Sequence, residues 1–242
     1  MELFEIIYED ASLLVLNKPA GLVCHPTKGD QYSSLISRAR LHLGPNAQPQ
    51  IINRLDRETS GVTLIAKDGQ TALELRKLWE KREVTKKYLA IVHGSVRDDT
   101  GAIDAPLGKD TRSEVAIKDR VIEGGAPAQT VFRVQQRFTR VEGDFTLLEV
   151  EPYTGRKHQI RIHLAYLGHS VVGDKLYGLD ERIYLDFVNY RLTDDQRKRL
   201  ILPHHALHAA EVGLNWRGQD WRWLAGHEPW FQDFVETKEL LK

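Results

Sequence analysis

The chain has 242 residues, 41% hydrophobic and 28% charged, with 34 basic side chains balanced by 34 acidic ones. That is the composition of an ordinary globular protein, and such a neutral body is not one that coats nucleic acid over its whole surface. The single cysteine, Cys24, excludes an intramolecular disulfide. No apolar run approaches the roughly 18 residues of a membrane-spanning helix. The acidic stretch Met1 to Asp10 lacks the basic and apolar regions of a signal peptide, so a cytoplasmic location is expected.

Taken in chain order, Ile6 to Leu16 reads as strand, turn, strand, and Asn17-Lys18-Pro19-Ala20-Gly21 reads as a turn. Ser33 to Leu43 carries Leu35, Ile36, Ala39 and Leu43 at helical spacing. Ile51-Ile52 leads into a polar loop, and Gly61 to Ala66 is a strand rich in β-branched and aliphatic residues. Gln70 to Lys81 is an amphipathic helix, and Lys87 to His93 a strand closed by Gly94. Thr130 to Gln136 and Phe145 to Glu151 pair as strands, with Gly143-Asp144 as the expected hairpin turn. Lys157 to Leu167 has helical spacing, Asp194 to Leu200 is a short charged helix, and Leu207 to Trp223 is strand, turn, strand around Gly218. Trp230 to Leu241 closes the chain as a helix. Adjacent strands outnumber strand–helix alternations. This predicts an α+β fold on a mixed, mostly antiparallel central sheet flanked by helices and loops, with residues 1–242 as one domain.

Three segments carry candidate chemistry. In Asn53-Arg54-Leu55-Asp56-Arg57-Glu58-Thr59-Ser60-Gly61, Asp56 lies between two arginines, and nearby cations favour an ionised carboxylate, a nucleophile or base. Taken alone, the same loop also reads as a solvated turn with charge pairs. The second segment, Thr154 to Leu164, holds Arg156, Lys157, His158, Arg161 and His163 and no acidic residue. In a helix Lys157 and Arg161 would share a face, and Gly155 would leave the helix start open to an anion such as phosphate. An ordinary basic helix face is the other reading. The third, Arg76 to Tyr88, has six basic residues against two acidic ones, with aromatics interleaved. Lys86 and Lys87 would meet phosphates and Tyr88 could stack on an unpaired base, although a strand residue packed in the core reads equally well there. Trp79 reads as core. His204 and His208 are four apart, but Pro203 points to a strand start and no glutamate supports a zinc motif, so no metal is expected.

Together these segments resemble the RluA-type family of RNA pseudouridine synthases. Residues 53–61 match its His-Arg-Leu-Asp, two variable residues, Thr-Ser-Gly signature in all but the first position, where Asn53 stands. Asn17-Lys18-Pro19-Ala20-Gly21, Lys86-Lys87-Tyr88, Thr154 to His163, Gly173-Asp174 and Leu207-His208-Ala209 look like its further elements, in family order across residues 17–209. The family's S4-like RNA-binding module has no room before Asn17, so the chain looks like the catalytic domain alone.

The resemblance implies the pseudouridine synthase catalytic fold and isomerisation of specific uridines in tRNA or rRNA, with no cofactor. Asp56 would attack the nucleoside, Arg161 would pair with Asp56, and Tyr88 would stack on uracil and help remove the C5 proton. Arg54 would fill the gap left by the flipped nucleotide. Asn53 would affect fine positioning or RNA contacts, not the reaction type. Arg54, Arg57, Lys86, Lys87, Arg156, Lys157 and His158 are the expected RNA contacts, the partner is a structured RNA and no membrane, and the protein is expected to be a monomer. The alternatives are a non-catalytic RNA-binding protein that keeps the fold, and an aspartate-dependent hydrolase such as a glycosidase, for which no second carboxylate is evident.

Overall fold

The computed structural model describes residues 4–26 and 33–236. It forms two compact units, Met1–Lys87 with His208–Pro229, and Tyr88–Leu207 with Trp230–Lys242.

The first unit is built on β1 (Glu5–Glu9), β2 (Leu13–Lys18), β3 (Gln50–Ile51), β4 (Ser60–Ala66), the start of β5 (Val84–His93), most of β11 (Leu207–Trp216) and β12 (Gln219–Leu224). The β1–β2 turn is set by Asp10, whose Oδ1 accepts from the N–H groups of Ser12 and Leu13 at 2.7 Å each. β2 then runs antiparallel to β4 from Leu13↔Ala66 to Lys18↔Gly61. The turn expected at Asn17 therefore starts later, because both Asn17 and Lys18 still pair with β4. β11 joins β4 in parallel through His208↔Ser60 and Ala209↔Gly61, and turns back into β12 at Arg217-Gly218. Both turn residues have positive φ, 53° and 75°, as a two-residue hairpin turn requires.

Side chains alternate across a strand, and here both faces are buried. Leu14, Leu16 and Ile65 pack on one side with Leu35, Ile36 and Ala39 of α1 (Leu35–Leu43). Leu13, Val15, Val62 and Leu64 pack on the other with Leu75 of α2 (Gly69–Glu80), Trp216 and Trp223. This two-sided burial is why β2 and β4 read as continuous apolar runs. Ser34 and Asp68 cap the two helices by accepting from Ser37 and Thr71 N–H. Trp79 packs on this core, as expected.

The second unit holds the rest of β5, β6 (Thr100–Asp104), β7 (Leu107–Lys109), β8 (Asp119–Val121), β9 (Gln129–Arg140) and β10 (Gly143–Pro152). β10 pairs antiparallel with β5, from Phe145↔His93 to Val150↔Tyr88, and with β9, which in turn pairs with β6. The hairpin turn is Val141-Glu142, not Gly143-Asp144, because Gly143 and Asp144 already pair with Arg140 and Thr139. The core of this unit gathers Ala90, Val92, Phe132, Phe145, Leu148, Val150, Ile160 and Leu164. Its helices are α3 (Gln159–Tyr166), α4 (Arg182–Val188), α5 (Asp194–Leu200) and α6 (Pro229–Glu236), the last adding Phe231 and Phe234 to the core. The part of the expected closing helix beyond residue 236 lies outside the described residues. None of the described helices is long and apolar enough to cross a membrane.

Candidate active site

In the first unit, Asp56 lies half-buried in the loop between β3 and β4, and its carbonyl accepts from Thr59 N–H at 3.2 Å. The neighbours on either side of Asp56 are fixed by the backbone. Leu55 is buried, and its carbonyl accepts from Cys24 Sγ at 3.4 Å. The Arg57 carbonyl accepts from Lys18 Nζ at 3.1 Å, and Arg57 Nε donates to Gly21 O at 3.2 Å. Glu58 and Thr59 are buried. Arg54 and Arg57, which stand two before and one after Asp56 in the sequence, are exposed.

Lys18 underlies this loop. It is fully buried, and its ammonium donates to the carbonyls of Pro19, Leu22 and Arg57 at 2.9, 2.8 and 3.1 Å. Three donors meeting three carbonyls is what makes a buried lysine tolerable. Burial lowers its pKa to about 8, against the opposing influence of Cys24, Asp56, Glu228 and Glu58. The Asp56 and Glu58 carboxylates are thus part of the field around a single buried cation. Nothing in the sequence marks this lysine as buried except its place in the Asn17–Gly21 element.

The far end of the loop is locked to β11. Ser60 Oγ lies 2.9 Å from His208 Nδ1, and His208 Nε2 lies 3.0 Å from Ala225 O. A carbonyl only accepts, so Nε2 carries the proton and Ser60 donates to Nδ1. Burial lowers the His208 pKa, which keeps this neutral tautomer. Both ring nitrogens are therefore committed to protein partners. Gly61 follows with φ +112°, and a Cβ there would sit 2.2 Å from Ala209 O. The Thr-Ser-Gly and Leu-His-Ala elements, far apart in sequence, are two sides of one junction.

In the second unit, Arg161 stands in the first turn of α3, buried, with Asp174 as its partner. Nε donates to Oδ2 at 2.7 Å and Nη2 to Oδ1 at 2.8 Å, a bidentate pair. Oδ1 also accepts from Leu176 and Tyr177 N–H at 2.9 and 3.0 Å. Burial alone would raise the Asp174 pKa. The Arg161 charge and these hydrogen bonds outweigh it and hold the carboxyl far below the usual range. The Arg161 guanidinium also lies 5.1 Å from the centre of the Tyr177 ring. Gly173 is required beside Asp174: its φ is +79°, and a Cβ would meet His204 O at 2.4 Å. Asp174 belongs to the element resembling the family's Gly-Asp, and nothing in the sequence marks it as the partner of Arg161.

The basic segment before α3 is arranged differently from expectation. His158 has φ 55°, which ends any helix there, so α3 begins at Gln159 and Lys157 does not share a helix face with Arg161. Lys157 Nζ instead pairs with Asp119 at 2.8 Å while its side chain stays 49% exposed, so the acid that the segment itself lacks comes from β8. His158 Nδ1 meets Tyr177 Oη at 2.9 Å, and exposed Arg156 donates through Nε to Pro127 O at 3.1 Å. Gln159 is buried and organises the turn. Its Oε1 accepts from Thr154 Oγ1 and Arg156 N–H, and its Nε2 donates to Gln129 O and Thr130 Oγ1. Gln159 thus ties the turn before α3 to β9.

Tyr88 is half-buried on β5 opposite Val150 and packs on the core of the second unit. Lys86 and Lys87 are half-buried on the same strand. Burial, and then the charge of Arg82, lower the Lys86 pKa. Asp56, Lys86 and Lys87 belong to the first unit, and Tyr88 and Arg161 to the second.

The fold is that of the pseudouridylate synthases. The structure of human RNA Pseudouridylate Synthase Domain Containing 1 superimposes with a TM-score of 0.76 at 22% identity, covering 96% of this chain and 88% of that one. Residues 12–166 match the family described as RNA pseudouridylate synthase, a span that includes Asp56, Tyr88 and Arg161. An uncharacterized RNA pseudouridine synthase of Bacillus subtilis, YlyB, is 36% identical over 98% of this chain and 73% of its own length. A ribosomal large subunit pseudouridine synthase D of Nitrosomonas europaea is 37% identical over 87% of this chain and 57% of its own length, so the chain spans little more than half of that relative. The chain belongs to the RNA pseudouridylate synthase family, whose enzyme class is an isomerase.

Proposed function

We propose that the protein isomerises a specific uridine of a structured RNA, tRNA or ribosomal RNA, with Asp56 as the reactive carboxylate and no cofactor. The observation that carries this reading is the build of residues 53–61. A half-buried carboxylate stands at the surface of a loop whose neighbouring carbonyls are held by buried Lys18 and Cys24. Reactive groups need such rigid support. The family match across the same residues supplies the reaction class.

In this reading the target uridine leaves its stack, which costs a few kcal/mol. Exposed Arg54 offsets that cost by filling the gap. Asp56 attacks the nucleoside and the bond from C1′ to N1 breaks; the base turns, C1′ bonds to C5 as the Asp56 carboxylate is released, and the proton lost from C5 is matched by one gained at N1. Tyr88 stacks on the uracil and takes part in removal of the C5 proton. Arg161, aimed by Asp174, acts as counter-ion to the Asp56 carboxylate. Arg57, Lys86, Lys87, Arg156, Lys157 and His158 are the proposed RNA contacts. The two units work as one catalytic domain, as a cytoplasmic monomer.

Incubation with uridine-labelled tRNA and rRNA tests the reading. Pseudouridine is the expected product; released base would indicate a hydrolase, and unchanged RNA a binding protein. Asp56→Asn is expected to bind RNA without turnover, and retained turnover would sink the assignment. Tyr88→Phe is expected to bind normally and turn over far more slowly. Arg161→Lys, which loses the planar bidentate fork, is expected to lose most activity.

A further inference from the structure

β4 has two long edges, and β2 covers one of them from Gly61 to Ala66. The other edge is covered piecemeal. β11 pairs with Ser60 and Gly61, and β3 pairs with Ile65 and Ala66. Between them lies a gap at Val62 to Leu64, where no strand among the described residues runs alongside on that edge. The Leu64 carbonyl accepts from Ile52 N–H at 2.9 Å. Two more backbone groups of the gap are met by one side chain: Asn53 Nδ2 donates to Val62 O at 2.9 Å, and Asn53 Oδ1 accepts from Leu64 N–H at 2.8 Å.

Binding the carbonyl of one residue and the N–H two residues further on is what the backbone of a parallel strand residue does. The Asn53 carboxamide does it in place of a backbone. Val62 and Leu64 are fully buried, so these two groups have no water to turn to. The chemistry is specific. An amide offers a donor and an acceptor on one planar end, whereas an aspartate has no donor and an alanine has neither. Asn53 is also the last residue fixed to the sheet before Asp56, three positions on.

We propose that Asn53 is a positioning residue for Asp56: its carboxamide stands in for a missing strand residue on β4 and sets where the reactive loop leaves the sheet. The proposal rests on the reading of Asp56 as the reactive group. It gives Asn53 a role in the reaction rate and none in RNA affinity. A displacement of the reactive atom by about 1 Å costs on the order of 100-fold in rate.

The test is single-turnover pseudouridine formation with enzyme in excess over unmodified transcripts of tRNA and large-subunit rRNA, alongside RNA binding. Asn53→Ala and Asn53→Asp are expected to slow the step by about 100-fold while RNA affinity stays within about twofold. Asn53→His supplies a donor and an acceptor only while its ring is neutral. Its rate relative to wild type is expected to be partly restored at pH 8 and to fall as pH drops through about 6.5. A purely structural role would show as unfolding over the same pH range; the proposed role requires the Asn53→His fold, followed by circular dichroism, to persist at about pH 6 while the rate falls. Should Asn53→Ala fail to fold, the pH profile of Asn53→His decides. Wild-type rates in Asn53→Ala, or a flat ratio in Asn53→His, with Asp56→Asn inactive, overturn the positioning role alone. An active Asp56→Asn overturns the reading of Asp56 and this proposal with it.

Discussion

Replacing Asp174 with asparagine removes one charge from a buried pair and changes little else in shape. Arg161 then loses two charge-assisted hydrogen bonds, at 2.7 and 2.8 Å, and its guanidinium meets an amide N–H₂ group in place of one oxygen. The two backbone N–H groups of Leu176 and Tyr177 can still reach the remaining oxygen. Two hydrogen bonds to charged groups are worth about 1.5–3 kcal/mol each, and breaking a buried ion pair from one side costs about 3–5 kcal/mol. The expected loss is therefore about 4 kcal/mol, a shift of roughly 1 M or more in a urea unfolding midpoint at pH 7. Replacing both partners, Arg161→Met with Asp174→Leu, is expected to recover much of this, because no charge is left buried alone. The acid side has a definite sign. The folded-state pKa of Asp174 lies below the unfolded value of about 3.9. The contribution of the pair is complete above about pH 4 and is lost as pH falls through the folded value. Wild type and Asp174→Asn should accordingly converge in stability only in strong acid. A cost below about 1 kcal/mol at pH 7 would refute the reasoning, since it is the size of an exposed pair.

Three other outcomes are expected. Gly61→Ala forces a side chain to φ +112° against Ala209 O and should destabilise by about 3 kcal/mol or more, measured by denaturant unfolding; a neutral result would mean that the β4–β11 junction yields. Lys18→Met leaves three carbonyls without a donor and should cost about 2 kcal/mol at pH 7. Because the Lys18 pKa is about 8 when folded and about 10.4 when unfolded, the unfolded chain binds more protons between those values. Wild-type stability gains from this as pH rises through that window, and the methionine variant should lack the gain. Arg54→Ala should weaken RNA binding and lower the slope of log affinity against log salt by about 1, and an unchanged slope would remove Arg54 from the phosphate contacts.

The elements with strong local signals were legible in the sequence. Asp194–Leu200 was readable as a helix to the residue, and the structure shows why: Thr193 and Gln196 close a reciprocal capping box. β2 and β4 were visible as apolar runs because both faces are buried. Other features were hidden for physical reasons. Val141 is a strand-forming residue, 68% exposed in a turn, and Gly143 is a turn-forming residue inside a strand, so the β9–β10 hairpin reads two residues late. α4 has no side-chain cap at Glu181, and the short β6 to β8 strands carry little alternation, so none of the four has a local signal in the sequence. His158 in a left-handed conformation cannot be seen in a pattern of apolar spacing. The loop around Asp56 was readable by its resemblance, but not the buried Lys18 beneath it. Lysine is almost never fully buried, and carbonyls from two separate loops, Pro19 and Leu22 in one and Arg57 in the other, must converge before the exception holds.

The first unit is assembled from two distant stretches of chain, and Ser60 meets His208 across 148 residues. A ribosome adding about 5–20 residues each second needs roughly 7–30 s to go from one partner to the other. Through that interval the stretch of β4 that follows Asp56 has been made and its mate has not. An unpaired strand edge of this kind is open to pairing with another nascent chain. Truncation before residue 208 should therefore yield a product prone to aggregation, and the speed of translation through residues 61–208 should influence how much active enzyme a cell obtains.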